Sequence, residues 1–132
     1  MNRLLILRLT AVSLAIVALV LVSAAASWHP ELTDSFPAAD QVLHEAPDSI
    51  RLWFNQEPEL ELAEMSLEGE SGTVEMGDVQ ATNDPKSFKA RVLTELGSGS
   101  YRVTWRAAGS DGHVIRGAYD FEVHAHTGVA RN

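Results

Sequence analysis

Tyr101-Arg102-Val103-Thr104-Trp105-Arg106-Ala107 and the later segment Gly117-Ala118-Tyr119-Asp120-Phe121-Glu122-Val123-His124 decide the fold class. In the first, Tyr101, Val103, Trp105 and Ala107 recur at every second position, so they share one face of an extended strand. In the second, Tyr119, Phe121 and Val123 alternate with Ala118, Asp120, Glu122 and His124, which makes it the natural partner and its aromatics the expected core. Between them lies Ser110-Asp111-Gly112-His113, and Asp-Gly is a favoured hairpin turn.

Upstream, Ile50-Arg51-Leu52-Trp53-Phe54 is bounded by Pro47-Asp48 on one side and by Asn55 and Pro58 on the other. Glu61 to Leu67, Thr73 to Met76 and Ser87 to Leu93 are further strand candidates, each ended by a Gly, Asp-Pro or Gly-Ser cluster that breaks pairing. About seven short strands in roughly 100 residues predict an all-β domain, an immunoglobulin-like or cupredoxin-like Greek-key β-sandwich. No internal repeat or low-complexity tract interrupts it, and residues 125–132 read as a loose tail.

The front of the chain has a different character. Met1 to Arg8 carries two arginines and no acid, Leu9 to Val22 is almost wholly apolar, and Ser23 to Ser27 is a run of small residues. This is the layout of a helical secretory signal over residues 1–26, followed by a domain over 27–124. The 18 residues from Leu9 to Ala26 carry no charge and could just cross a bilayer, so a retained membrane anchor is the competing reading.

The 132 residues carry a formal charge of −8, which becomes −10 once Arg3 and Arg8 leave with the signal. Nucleic acid is excluded as a partner, because phosphate affinity is supplied by clustered Lys and Arg. There is no cysteine. That rules out disulfides, thiolate zinc sites, iron–sulfur clusters and cysteine-ligated copper, and leaves His, carboxylate, Met and backbone nitrogen as possible metal donors.

The five histidines are His29, His44, His113, His124 and His126. His29 falls within three residues of the expected cut, and a freed α-amine is deprotonated more readily than lysine. Amine plus imidazole suits Cu(II), which prefers nitrogen and oxygen donors in a tetragonal plane. Cutting after Ala26 satisfies the small-residue rule best and exposes Ser27-Trp28-His29, whose amine, two backbone nitrogens and imidazole could wrap a cation unaided. Cutting after Ser27 exposes Trp28-His29, and cutting after Trp28 makes His29 the first residue.

Asp111 and His113, two residues apart on the hairpin, could point the same way and offer carboxylate and imidazole together; the plainer reading is a polar connection. Glu57, beside Pro58, reads by itself as a solvated strand-end residue. His44 sits in a turn-like stretch and receives no role. His124 and His126 alternate at the end of the last strand and could pair on a metal, although an exposed strand end is the default.

Several spaced motifs carry a family resemblance: His29-Pro30-Glu31-Leu32, Ser35-Phe36-Pro37-Ala38, Ala46-Pro47, Ile50 to Phe54 ending at Glu57, Asp84-Pro85-Lys86, Gly99 to Ala107, and Ser110-Asp111-Gly112-His113. In this order the chain resembles the CopC copper-resistance proteins from residue 29 to about 123. The resemblance implies a Greek-key sandwich in the periplasm, or on the extracytoplasmic face of the plasma membrane, that binds one Cu(II) for copper tolerance or homeostasis. It implies the N-terminal amine, His29, Asp111 and His113 as ligands, with Glu57 added as in some members. Copper ion is then the partner, and an inner-membrane copper transporter a candidate protein partner.

Family members that also bind Cu(I) have a methionine-rich loop, whereas the middle of this chain has only Met65 and Met76, so no Cu(I) site is expected. Trp28 is a second departure, because a site with His29 as first residue needs a cut after a bulky side chain. The chain shows no nucleophile triad spacing, phosphate loop or acid–base cluster, so it reads as a carrier or buffer and not an enzyme. The alternatives are a membrane-tethered sandwich that docks partners without metal, and a copper oxidase built on an N-terminal histidine, for which the chain is short and lacks an aromatic platform.

Overall fold

A computed structural model describes residues 30–125. The segment read as an export signal, His29, His126 and the rest of the tail lie outside them. The strands are β1 (Leu32–Phe36), β2 (Val42–Leu43), β3 (Ser49–Phe54), β4 (Glu64–Gly69), β5 (Gly72–Val74), β6 (Gln80–Ala81), β7 (Ser87–Arg91), β8 (Gly99–Ala108) and β9 (Val114–Val123). They form a four-stranded sheet in the order β1-β3-β7-β6 and a five-stranded sheet in the order β2-β9-β8-β4-β5. The expected all-β sandwich is what the chain builds, and of the nine strands among the described residues only β2 and β6 are as short as two residues.

Alternation places the core. Ile50, Leu52 and Phe54 of β3 and Phe88 and Ala90 of β7 face Val103, Trp105 and Ala107 of β8 and Tyr119, Phe121 and Val123 of β9, all buried. Phe54 links the layers: it stacks on Phe88 within its own sheet, centroids 5.2 Å apart, and meets the edge of Trp105 across the gap at 5.5 Å. Such aromatic pairs contribute about 0.5–1.5 kcal/mol beyond the area they bury. Trp105 fits because Gly117, its cross-strand partner, has no side chain.

Three strand expectations needed correction, the one at Ser87 to Leu93 ending at Arg91. The one placed at Glu61 to Leu67 begins only at Glu64, because Leu60–Leu62 is a 3-10 turn closed by Leu62 N–H to Glu59 O and Ala63 N–H to Leu60 O. The one at Thr73 to Met76 stops at Val74, and Met76 makes a single bridge to Val92. Three strands had not been anticipated. In β1 a register shift between Leu32 and Asp34 breaks the alternation that would have revealed it, and β2 and β6 are too short to show a period.

On the outer face of β3, Arg51 lies 4.5 Å over the Trp53 ring and donates to Thr82 Oγ1 at 3.0 Å and Ser87 Oγ at 3.0 Å. These bonds tie the Thr82–Ser87 loop to the sheet.

Candidate metal centre

The β8–β9 hairpin is the most extensively paired unit in the fold, with ten cross-strand partners from Gly99↔Val123 to Ala108↔Val114. Its turn is therefore held on a stiff base. Gly112 N–H donates to Gly109 O at 2.9 Å and Gly109 N–H to His113 O at 3.3 Å, with Gly112 at φ +78°. Asp111 keeps an ordinary negative φ, Asp40 being the only described non-glycine residue with a positive one. The turn is thus a three-residue loop closed by a left-handed glycine, not the two-residue Asp-Gly turn the sequence suggested.

That loop brings Asp111 and His113 together. Asp111 Oδ1 accepts the His113 backbone N–H at 3.1 Å, and Oδ2 stands 2.8 Å from His113 Nδ1. The side chains are 31% and 68% exposed, so the pair is open to solvent on the imidazole side. A carboxylate on Nδ1 fixes the ring and leaves Nε2 as the donor atom, the usual arrangement of a histidine ready for a metal. The donor set is nitrogen and oxygen, which fits Cu(II) and other borderline divalent cations.

The same end of the sandwich gathers the start of the described chain. Leu32 pairs with Phe54, so β1 begins where β3 ends. Just before it, Glu31 N–H donates to Asn55 Oδ1 at 2.9 Å and Asn55 N–H donates to Glu31 O at 3.0 Å, while Pro30 is fully buried. Further along, Glu59 N–H donates to Ala108 O at 2.9 Å, tying the segment after β3 to the last residue of β8. Asn55 to Glu59 thus bridges Pro30 and Glu31 to the foot of the hairpin.

Glu57 is exposed within this bridge and lines a groove with Pro58, Thr82, Asn83 and Asp84. Among the described residues no three His, Asp or Glu side chains gather closely enough to hold a metal, so Glu57 is not joined to Asp111 and His113 as a third donor. The Asn55 clamp on Glu31 is a feature that the sequence did not disclose. Its only signal was an Asn directly after a strand, which reads as a breaker.

Met65 and Met76 both pack against the core cluster. His124 Nε2 lies 3.0 Å from Glu122 Oε2 at the far end of β9.

The CopC domain matches residues 32–124. Copper resistance protein C of Escherichia coli is 36% identical over 110 residues, spanning 77% of this chain and 86% of its own. The solved structure of CopC from Methylosinus trichosporium OB3b superposes with a TM-score of 0.68 at 30% identity, covering 74% of this chain and 96% of that one. PcoC, a methionine-rich copper resistance protein from Escherichia coli, gives 0.66 at 37% identity, covering 72% and 98%.

Proposed function

The chain belongs to the CopC domain family, and from that premise we propose that it is an exported copper carrier or buffer holding one Cu(II) at the hairpin end of the sandwich. The observation that carries the reading is the Asp111–His113 pair, built on the most extensively paired hairpin among the described residues, at the end where Glu31 is clamped. The ligand set we propose is His113 and Asp111 from the hairpin with His29 and the α-amine freed by cleavage; Glu57 is an auxiliary carboxylate that must turn toward the site to take part.

Holding copper requires little of this chain beyond positioning. Asp111 fixes the His113 ring, Asn55 and Glu31 fix the backbone that leads to His29, and the surplus of acidic groups favours cation capture at long range. The role is retention and hand-over, with no chemical turnover. Copper tolerance or homeostasis outside the cytoplasm is the setting, and an inner-membrane copper transporter is the candidate partner. Relatives titled copper resistance proteins support the copper reading. One of them is titled methionine-rich; here the two methionines of the domain lie against the core, which favours Cu(II) over Cu(I) as the cargo.

The test is Cu(II) titration of the mature protein, its N-terminus defined by intact mass, followed by electron paramagnetic resonance. One equivalent with an axial signal from mixed nitrogen and oxygen donors, lost in His113→Ala, is expected. A nitrogen-only plane indifferent to His113 would assign the metal to Ser27-Trp28-His29 alone. A mass that retains residues 1–26 would remove the amine from the site, and the absence of stoichiometric binding would reject the copper reading.

A further inference from the structure

Beyond the proposed hairpin site the described residues include two more histidines, His44 and His124, and strand pairing that the sequence does not announce brings their stretches of chain to one corner. The two-residue strand β2 runs parallel to the end of β9, with Val42 opposite Glu122 and Leu43 opposite Val123. The pairing is carried past the ladder by His124 N–H, which donates to Leu43 O at 2.7 Å. Alternation then sorts the side chains. Val123 is buried and Leu43 packs against the core, whereas Val42, His44, Glu122 and His124 are all exposed. His44 follows β2 directly, at a bend, and is exposed like His124, whose backbone N–H is bonded to the residue just before His44.

Glu122 already engages this corner, its Oε2 standing 3.0 Å from His124 Nε2, with the two side chains about half exposed. A carboxylate on one ring nitrogen is what orients a histidine to ligate through the other. Neighbouring imidazoles with a carboxylate are donors for borderline divalent cations, and at such sites Cu(II) outranks Zn(II). The three side chains are not gathered into a preformed cage. All three are exposed, so closing them on an ion would take side-chain rearrangement, at a cost in side-chain entropy and therefore in affinity.

We propose that His44 and His124, with Glu122 as the orienting carboxylate, form a second and weaker divalent-metal site at the pole of the sandwich opposite Asp111 and His113. His113 and His124 flank the ten residues of β9, which sets their backbones about 35 Å apart. At that distance the two ions would bind independently. The second site is thus a separate point of loading or release, not an extension of the first.

The experiment is Cu(II) titration of the mature full-length protein by calorimetry, repeated for His44→Ala, His124→Ala, Glu122→Gln, His126→Ala and His113→Ala. The proposal expects a second, weaker equivalent. His44→Ala and His124→Ala each weaken it at least tenfold and leave the first equivalent unchanged, Glu122→Gln weakens it less, and His113→Ala leaves it in place. Because His44 and His124 are exposed, their truncation does not disturb the core. A single equivalent in the wild type overturns the proposal. So does a second equivalent that ignores His44 but vanishes in His126→Ala, which would place it in the tail, or one that vanishes in His113→Ala, which would return it to the hairpin. Loss of the first equivalent alone would count against the hairpin reading and leave this one standing.

Discussion

Asp111 grips His113 at two points, its two carboxylate oxygens reaching the backbone N–H and the ring Nδ1 of the same residue. Both oxygens thus engage one residue, and in the site proposed above this gives the pair an internal order: His113 would present the donor, and Asp111 would set its direction before contributing as a ligand. Removing the imidazole deletes a nitrogen donor outright, whereas removing the carboxylate costs orientation and one oxygen.

His113→Ala should accordingly lose the most Cu(II) affinity, by more than about a hundredfold. Asp111→Asn should fall in the 10–100-fold range typical of groups that orient a metal-bound histidine, and Glu57→Ala should cost less than about tenfold. Competition titration against a chelator of known affinity ranks the three. Equal losses for His113→Ala and Glu57→Ala would contradict the arrangement.

Asn55 acts on the other half of the proposed site. Its side-chain oxygen holds the Glu31 N–H, two residues after His29, while its own N–H is tied to Glu31 O. Asn55→Ala removes the first bond and keeps the second, which should cost about 0.5–1.5 kcal/mol of stability and several-fold in Cu(II) affinity as the approach to His29 loosens. Asn55→Asp retains the acceptor and should recover most of the affinity. A stability loss with unchanged copper binding would confine Asn55 to the fold.

Which of these features the sequence could show follows from how local each one is. The period of two in Tyr101 to Ala107 and Tyr119 to Val123 is written in consecutive residues, and it predicted the buried face of both strands. Asp111 and His113 were legible for the same reason, being two residues apart on one turn. The Asn55–Glu31 clamp was not, because it joins residues 24 apart through a backbone group that every residue possesses. Nor was the neighbourhood of His44 and His124, which depends on a two-residue parallel pairing across 80 residues of chain. The late start of β4 was hidden because the acidic, leucine-containing run Glu59 to Leu62 shows the alternation of a strand while its backbone closes a 3-10 turn.

Gly117 is a packing requirement of the core that supports the hairpin. A Cβ at that position would fall 2.6 Å from Trp105 Cε2 and 2.9 Å from its Nε1, and the indole cannot retreat because Phe54 meets it across the sandwich. Gly117→Ala should therefore destabilise the domain by about 1–3 kcal/mol, as overpacking does. Urea unfolding measures the loss, and a changed near-ultraviolet circular dichroism spectrum would locate it at the aromatic cluster. An unaltered midpoint would mean that the backbone of β9 yields more readily than its ten-pair ladder suggests.

Tyr119 gives the domain a pH limit on the alkaline side. Burial pushes its phenol from 10.0 up to about 12, the neighbouring Ser35 hydroxyl opposing the rise only weakly. No hydrogen bond of ordinary geometry reaches the buried oxygen. A phenol that resists ionisation when folded binds its proton more tightly than the unfolded chain does. Its contribution to stability is present in full below pH 10 and disappears as pH rises from about 10 through 12. Tyr119→Phe removes both the titration and a buried hydroxyl that Ser35 satisfies poorly, so it should leave stability at pH 7 nearly unchanged or slightly raised. The wild type should then lose stability relative to Tyr119→Phe above pH 10, read as a widening gap between their urea midpoints. Parallel midpoints up to pH 12 would mean that the phenolate is solvated in the folded protein, and that the space beside Ser35 admits water.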